Sequence, residues 1–232
     1  MSGSITLENR FGVNKMELIS LKYAIFVIVL LVLYYCFPKK YRWYVLLAGS
    51  MAYYVIICKW YVLFIIFTIC TTYGSTIWID KLLKKQNAIV KSHKEDWDRQ
   101  TRKDYKEKGR KKRVAVMLFA LLCNFGILAF LKYIPYAGEL GLLLPLGISF
   151  YTFQSMGYVM DVYREIVEPE KNFLKVALFV SFFPQIIQGP IAIYDKLAGQ
   201  LYEGHSLRLE NLQKGALLEL WGVMKKLVIA DR

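Results

Sequence analysis

Apolar runs long enough to cross a bilayer constrain this chain more than any other feature. A spanning helix needs about 20 predominantly apolar residues. Residues 18–37, 43–58, 60–79 and 114–131 each supply or approach such a run. The run at 114–131 contains no Asp, Glu, Lys or Arg, and Lys22 lies close enough to the outer end of the first run to snorkel. A backbone in hydrocarbon must satisfy its own hydrogen bonds, so each run is expected as a helix. A fifth run, 140–160, carries Gly141, Pro145, Gly147, Gln154 and Gly157, with Pro145 in the first turns where a missing N–H costs least. A sixth, 173–190, is short and ends on Phe183-Pro184-Gln185-Ile186-Ile187-Gln188-Gly189-Pro190. Two prolines and a glycine so close together break a helix, which favours a re-entrant segment over a clean span. Residues 217–229 are apolar but interrupted by Glu219, Lys225 and Lys226, as in an interfacial helix or the start of a further span. The expected fold is an all-α polytopic integral membrane protein. It is a multi-span helical bundle with re-entrant or broken helices, residues 1–232 being the N-terminal part of a single domain.

Composition narrows the alternatives. A chain that is 56% hydrophobic with a mean hydropathy of +0.33 is not disordered. Its net charge of +13 suggests nucleic acid, but 16% aromatics and long apolar runs exclude a simple basic binder in water. Four cysteines in 232 residues do not make a disulfide-stapled scaffold. Cys36, Cys58, Cys70 and Cys123 all lie in or beside apolar runs, where a thiol behaves as a small hydrophobe. The first run lacks a small-residue cleavage site and is not read as a cleavable signal.

The charge is concentrated. Residues 81–113 hold fourteen Lys/Arg against five Asp/Glu, a net +9. The connection after the first run adds Lys39, Lys40 and Arg42, whereas that between the second and third has only Lys59. Short Lys/Arg-rich loops stay cytoplasmic, so both basic segments are expected inside the cell membrane and the N-terminus outside. Segment 81–113 is read as a solvated topogenic loop near an anionic leaflet. The sharper alternatives are recognition of anionic headgroups or of nucleic acid. With only Trp97 and Tyr105 as aromatics it is a thin surface for base stacking, and no nucleic-acid partner is expected.

Few residues offer chemistry. His93 sits in the basic segment beside Lys91 and Lys94, and His205 follows Gly204 in a polar turn, so neither setting suits a metal ligand or a base. No His pair stands at metal-ligand spacing, and neither a phosphate-binding glycine loop nor a GxSxG elbow is present, so no metal site is expected. Polar residues at membrane depth are the better pointers. Gln154, Gly157, Asp161 and Arg164, spaced i, i+3, i+7 and i+10, share one helix face. They form either a polar tunnel wall or helix–helix glue with an interfacial ion pair. Gln185, Gln188, Gly189 and Pro190 combine two amides with a broken helix, tolerated at depth only against protein or a water-filled cavity. The bland alternative is a hairpin that only packs.

The same stretches carry a family likeness. Leu143-Leu144-Pro145-Leu146-Gly147-Ile148-Ser149-Phe150-Tyr151-Thr152-Phe153-Gln154 followed by Asp161-Val162-Tyr163-Arg164 resembles membrane-bound O-acyltransferases (MBOAT). So do Phe179-Val180-Ser181-Phe182-Phe183-Pro184-Gln185 with Gly189-Pro190-Ile191, and Lys225-Lys226-Leu227-Val228-Ile229-Ala230-Asp231-Arg232. The likeness is strongest to the bacterial branch of alginate O-acetyltransferase membrane subunits and teichoic-acid D-alanyl transfer proteins. It implies helices around a central tunnel, with Gln154, Asp161, Arg164, Gln185, Gln188, Gly189 and Pro190 as candidate lining. It implies transfer of an acyl group, acetyl foremost, to a hydroxyl of an exported polysaccharide or cell-wall polymer. The donor would be acetyl-CoA or another acyl thioester, with no bound cofactor, and an extracytoplasmic esterase-like partner would complete the transfer. The family's catalytic histidine follows the Lys-Lys-x-x-x-Ala-Asp-Arg motif, and neither His93 nor His205 matches it. This chain is therefore expected to be the N-terminal half of such an enzyme, inactive alone. A transporter or export channel, or a non-catalytic membrane scaffold, is the competing expectation.

Overall fold

A computed structural model describes residues 21–93, 97–133, 147–189, 192–225 and 228. The described elements are all helical: α1 (Leu21–Cys36), α2 (Arg42–Cys58), α3 (Val62–Ser92), α4 (Arg99–Tyr133), α5 (Ile148–Tyr163), α6 (Phe173–Ser181), α7 (Phe183–Gln188), α8 (Tyr194–Tyr202) and α9 (Leu209–Lys225). Short 3-10 turns at Lys39–Tyr41 and Lys59–Tyr61 join α1 to α2 and α2 to α3.

The described part of the apolar run at 18–37, up to Cys36, falls in α1 and the run at 43–58 in α2, with residues 18–20 outside the described residues. Pro38 ends α1, since the residue before a proline is pushed out of the helical region. The Arg42 Nε then donates to the Phe37 carbonyl at 2.9 Å and ties the turn shut. Of the 140–160 run, residues 140–146, with Gly141 and Pro145, lie outside the described residues. The rest is α5, which continues to Tyr163. The 173–190 segment is broken, as its prolines and glycine imply: α6 stops at Ser181, Phe182 is extended (φ −58°, ψ 106°), and α7 restarts at Phe183. The late apolar stretch belongs to a helix that begins earlier, at Leu209, with Leu217, Leu218, Leu220 and Trp221 exposed.

Segment 81–113 differs from the expected loop. Helix α3 runs on to Ser92 and α4 begins at Arg99, so the basic segment is two helical extensions meeting in a hairpin. Run length in hydrophobicity marks where a helix enters oil, not where it ends. Here polar pairs one turn apart carry the helices onward. Asp80 pairs with Lys84 at 2.6 Å, Glu107 with Lys111 at 3.3 Å, and Gln100 Nε2 donates to Asp104 at 3.1 Å.

The core lies where α2, α3, α5 and α6 meet, around Tyr53, Tyr54, Ile65, Ile69, Tyr151, Tyr158, Val159 and Phe179. Helix α3 packs chiefly on α4 and α5. Its inner face carries Thr68, Thr72, Ser75 and Thr76, small residues that let backbones approach. The Ser75 and Thr76 hydroxyls donate within their own helix, Ser75 to the Thr71 carbonyl at 2.6 Å and Thr76 to the Thr72 carbonyl at 2.9 Å, whereas Thr72 Oγ1 is buried without a partner among the described residues. Asn124 of α4 donates to Thr71 Oγ1 at 2.9 Å across the interface. Outside, the pattern inverts: Ile28 and Val29 of α1 and Phe119 and Leu122 of α4 face outward, Leu122 at 74% exposure. Two helical stretches, 39–92 and Arg99–Tyr133, are long and apolar enough to cross a membrane.

Candidate functional site

The polar face of α5 and the break between α6 and α7 come together. Gln154 is buried (3% exposed) and its Nε2 donates to the Phe179 carbonyl at 2.8 Å. That carbonyl lies in the last turn of α6, where chain-terminal carbonyls have no helical partner. One amide therefore ties α5 to the helix end just before the break. On the far side, the Phe183 N–H reaches Ser50 Oγ of α2 at 3.4 Å. Two glycines allow the close approach. Gly147 has φ +70°, and a Cβ there would strike Ile186 of α7. A Cβ on Gly189 would strike the backbone of Gln185.

Gln185 is half-buried and its Oε1 is shielded from solvent without a hydrogen-bond partner among the described residues. The side chain of Gln188 and all of Pro190 lie outside the described residues. Asp161 is half-buried and Arg164 is exposed, so the α5 face grades from core to surface. The ion pair at that end is not between them: Arg113 Nη1 of α4 bonds Glu165 Oε1 at 3.0 Å. Glu165 holds φ +62°, an uncommon conformation for a residue with a Cβ. The sequence reading missed this pair, which joins residues fifty-two apart. The available signal was that Arg113 is the last cation before the uncharged run, where burial demands a partner.

An aromatic wall borders the break. Tyr158 stacks on Tyr194 at 4.1 Å, and Phe179 meets Tyr194 edge-on at 4.9 Å. Tyr202 donates to the Lys175 carbonyl at 2.8 Å. Burial, with the Tyr194 phenol nearby, pushes its phenol well above the ordinary tyrosine range, so it stays a donor. An apolar cavity of about 400 Å³ opens beside α7, lined among others by Leu30, Tyr34, Phe183, Pro184, Leu201 and His205. Two further cavities lie in the basic hairpin. None of Gln154, Asp161, Arg164, Gln185 and Gly189 lines any of these three cavities.

Both histidines have structural partners. His93 is exposed, stacks on Trp97 at 4.9 Å and approaches Ser92 Oγ at 3.0 Å. His205 Nε2 lies 2.9 Å from the Gln200 carbonyl, which requires that nitrogen to carry the proton. Its backbone carbonyl accepts from Arg42, and its N–H reaches the Tyr34 hydroxyl at 3.3 Å. Among the described residues no group of His, Cys, Asp or Glu could hold a metal, and Cys36, Cys58, Cys70 and Cys123 are free thiols.

The described residues form an all-helical structure with outward apolar surfaces and a polar break bordered by aromatic rings. Comparison with known proteins gives the chain relatives. It is 40% identical over 89 residues to a probable alginate O-acetylase AlgI of Pseudomonas syringae, covering 38% of this chain and 17% of the relative. It is 34% identical over 114 residues to the probable alginate O-acetylase AlgI of Azotobacter vinelandii, covering 49% of this chain and 21% of the relative. It is 31% identical over 153 residues to a peptidoglycan O-acetyltransferase of Helicobacter pylori, covering 50% and 29%. The matched stretches thus span under a third of each relative's own length. Relatives named as alginate O-acetylases and a peptidoglycan O-acetyltransferase agree with the resemblance read from the motifs. No family model matches, and no solved structure matches.

Proposed function

We propose that this chain serves a polytopic membrane O-acyltransferase that moves an acyl group, acetyl foremost, from an acyl thioester to a hydroxyl of an exported polysaccharide or cell-wall polymer. The observation that carries this reading is 31–40% identity to proteins named as O-acetylases of alginate and an O-acetyltransferase of peptidoglycan. The helix break pinned by Gln154, with a shielded, unpartnered amide oxygen at Gln185, places polar groups inside the bundle, as this reading asks. In this reading the basic hairpin faces the cytoplasm and the N-terminus lies outside. The hairpin's charge raises the local concentration of an anionic thioester such as acetyl-CoA. An extracytoplasmic esterase-like partner receives or completes the transfer.

The chemistry asks for a neutral base that takes the acceptor hydroxyl proton as the oxygen attacks the thioester carbonyl. The C–O bond forms, the C–S bond breaks, and the thiol leaves with a proton. Exclusion of water by the surrounding helices limits hydrolysis. Neither His93 nor His205 matches the family's catalytic histidine, and both are engaged structurally.

The test is the ester-linked acetyl content of the exported polymer in cells with and without the gene, complemented by wild type and by Gln154→Leu. Loss of ester on deletion, restoration by wild type and weaker restoration by the variant are expected. Unchanged ester on deletion overturns the reading. Solute flux through the reconstituted protein with no effect on polymer acetylation would favour a transporter instead.

A further inference from the structure

The basic hairpin is a built cleft. Beyond the apolar parts of α3 and α4 it borders an open cleft of about 440 Å³, lined by buried Gln86 and exposed Asn87 of α3 and, on α4, by exposed Lys103, Lys106 and Arg110 and buried Arg113. The four cations are spaced i, i+3, i+7 and i+10, which places them on one helix face. The carboxylates that also line it are engaged: Glu107 pairs with Lys111 at 3.3 Å and Glu165 with Arg113 at 3.0 Å. Among the described residues no carboxylate pairs with Lys103, Lys106 or Arg110. Like charges stacked along one helix face repel one another, and an anion held between the helices would relieve that repulsion.

The wall opposite is rigid and close. Gln86 is buried, its Nε2 donates to the Lys106 carbonyl at 3.0 Å, and a Cβ on Gly109 would strike its side chain. Arg113 is buried and held by Glu165, with its Nε unpartnered among the described residues. Arg110 adds a guanidinium, whose planar fork matches phosphate oxygens better than a lysine does. Depth fits as well. Arg113 adjoins the uncharged run that begins at Val114, and Arg110 lies about 4.5 Å further out at the helical rise. That is the level of lipid headgroups, where basic pockets between helices hold phosphates.

We infer that the α3–α4 cleft is a binding site for a phosphate-bearing anion, with Lys106, Arg110 and Arg113 as its cationic ligands and Asn87 at its rim. The phosphate belongs either to an anionic phospholipid or to a soluble phosphorylated molecule. The site stands independently of the acyl-transfer reading.

The test uses the full chain purified in a nonionic detergent, titrated separately with soluble short-chain phosphatidylglycerol and with pyrophosphate. Lys106→Ala/Arg110→Ala is compared with Lys108→Ala/Lys112→Ala, which removes equal charge from residues that do not line this cleft. The cleft pair is expected to weaken binding by about tenfold or more and the control pair by less than about twofold. Arg110→Lys keeps the charge, loses the fork and is expected to cost a few-fold. Circular dichroism checks that each variant keeps its helix content. Preference for phosphatidylglycerol identifies a lipid source, and equal or tighter pyrophosphate binding a soluble one. Equal weakening by both double variants would mean a diffuse field instead of a site, and absence of binding by either probe overturns the proposal.

Discussion

At the scale of single residues, Gln154 and Gly147 hold the break between α6 and α7 from opposite sides. Gln154→Leu fills a similar volume but leaves the Phe179 carbonyl without its donor in a buried setting. An unsatisfied buried acceptor costs about 1–3 kcal/mol, so the variant is expected to unfold earlier by thermal melting in detergent. Gln154→Glu, which replaces the donating amide by a carboxyl that must be protonated to donate, is expected to melt earlier still. Gly147→Ala faces two penalties at once: a left-handed backbone with a Cβ, about 1–2 kcal/mol, and collision with Ile186. It is expected to be the more damaging of the two sites, and an equal melting temperature for Gly147→Ala and wild type would show that the left-handed turn is not needed. The importance of Gln154 was legible in the sequence, because an amide inside an apolar run must find a partner. The partner was not, since Phe179 offers a backbone carbonyl that any residue would supply.

At the scale of elements, the break was legible and the hairpin was not. Pro184 and Gly189 announce an interruption within a few residues, and α6 ends at Ser181. Pro184 nevertheless sits in the first turn of α7, where its missing N–H is harmless. What turns the chain is extended Phe182, fixed by Gln154 before it and Ser50 after it. Pro184→Ala is therefore expected to change stability by less than about 1 kcal/mol and to leave the break in place, whereas Gln154→Leu loosens it. Hydrogen exchange at residues 183–186 separates the two. The basic segment misled for a different reason. A charge-rich stretch has no apolar period to mark it as helical, yet Asp80–Lys84 and Glu107–Lys111 pairs, together with packing of Gln86 on Gly109, extend both helices. Gly109→Val is expected to push the two extensions apart and lower helix content without touching the apolar core.

At the scale of the whole molecule, apolar surface and charge are segregated along the helix axes. Outward apolar residues on α1 and α4 are followed, beyond Ile79 on α3 and before Val114 on α4, by a helical hairpin carrying most of the net charge. Helix α2, with 17 residues, is about 25 Å long, short of the roughly 30 Å hydrocarbon core. It ends at a turn where Trp60 is 84% exposed, as suits an aromatic at an interface. If the hairpin is cytoplasmic, the Lys59–Tyr61 turn at the opposite end of α3 is extracytoplasmic. Single cysteines placed at Trp60 and at Thr101, in a chain with Cys36, Cys58, Cys70 and Cys123 replaced by Ala, test this in intact cells. A membrane-impermeant maleimide is expected to label position 60 directly and position 101 only after permeabilisation. The reverse pattern would invert the molecule, put the cationic cleft outside, and leave an intracellular thioester with no positive surface to meet. Labelling of both positions in intact cells would show that α3 does not span the membrane, so the bundle would have to lie on the bilayer with its apolar face down.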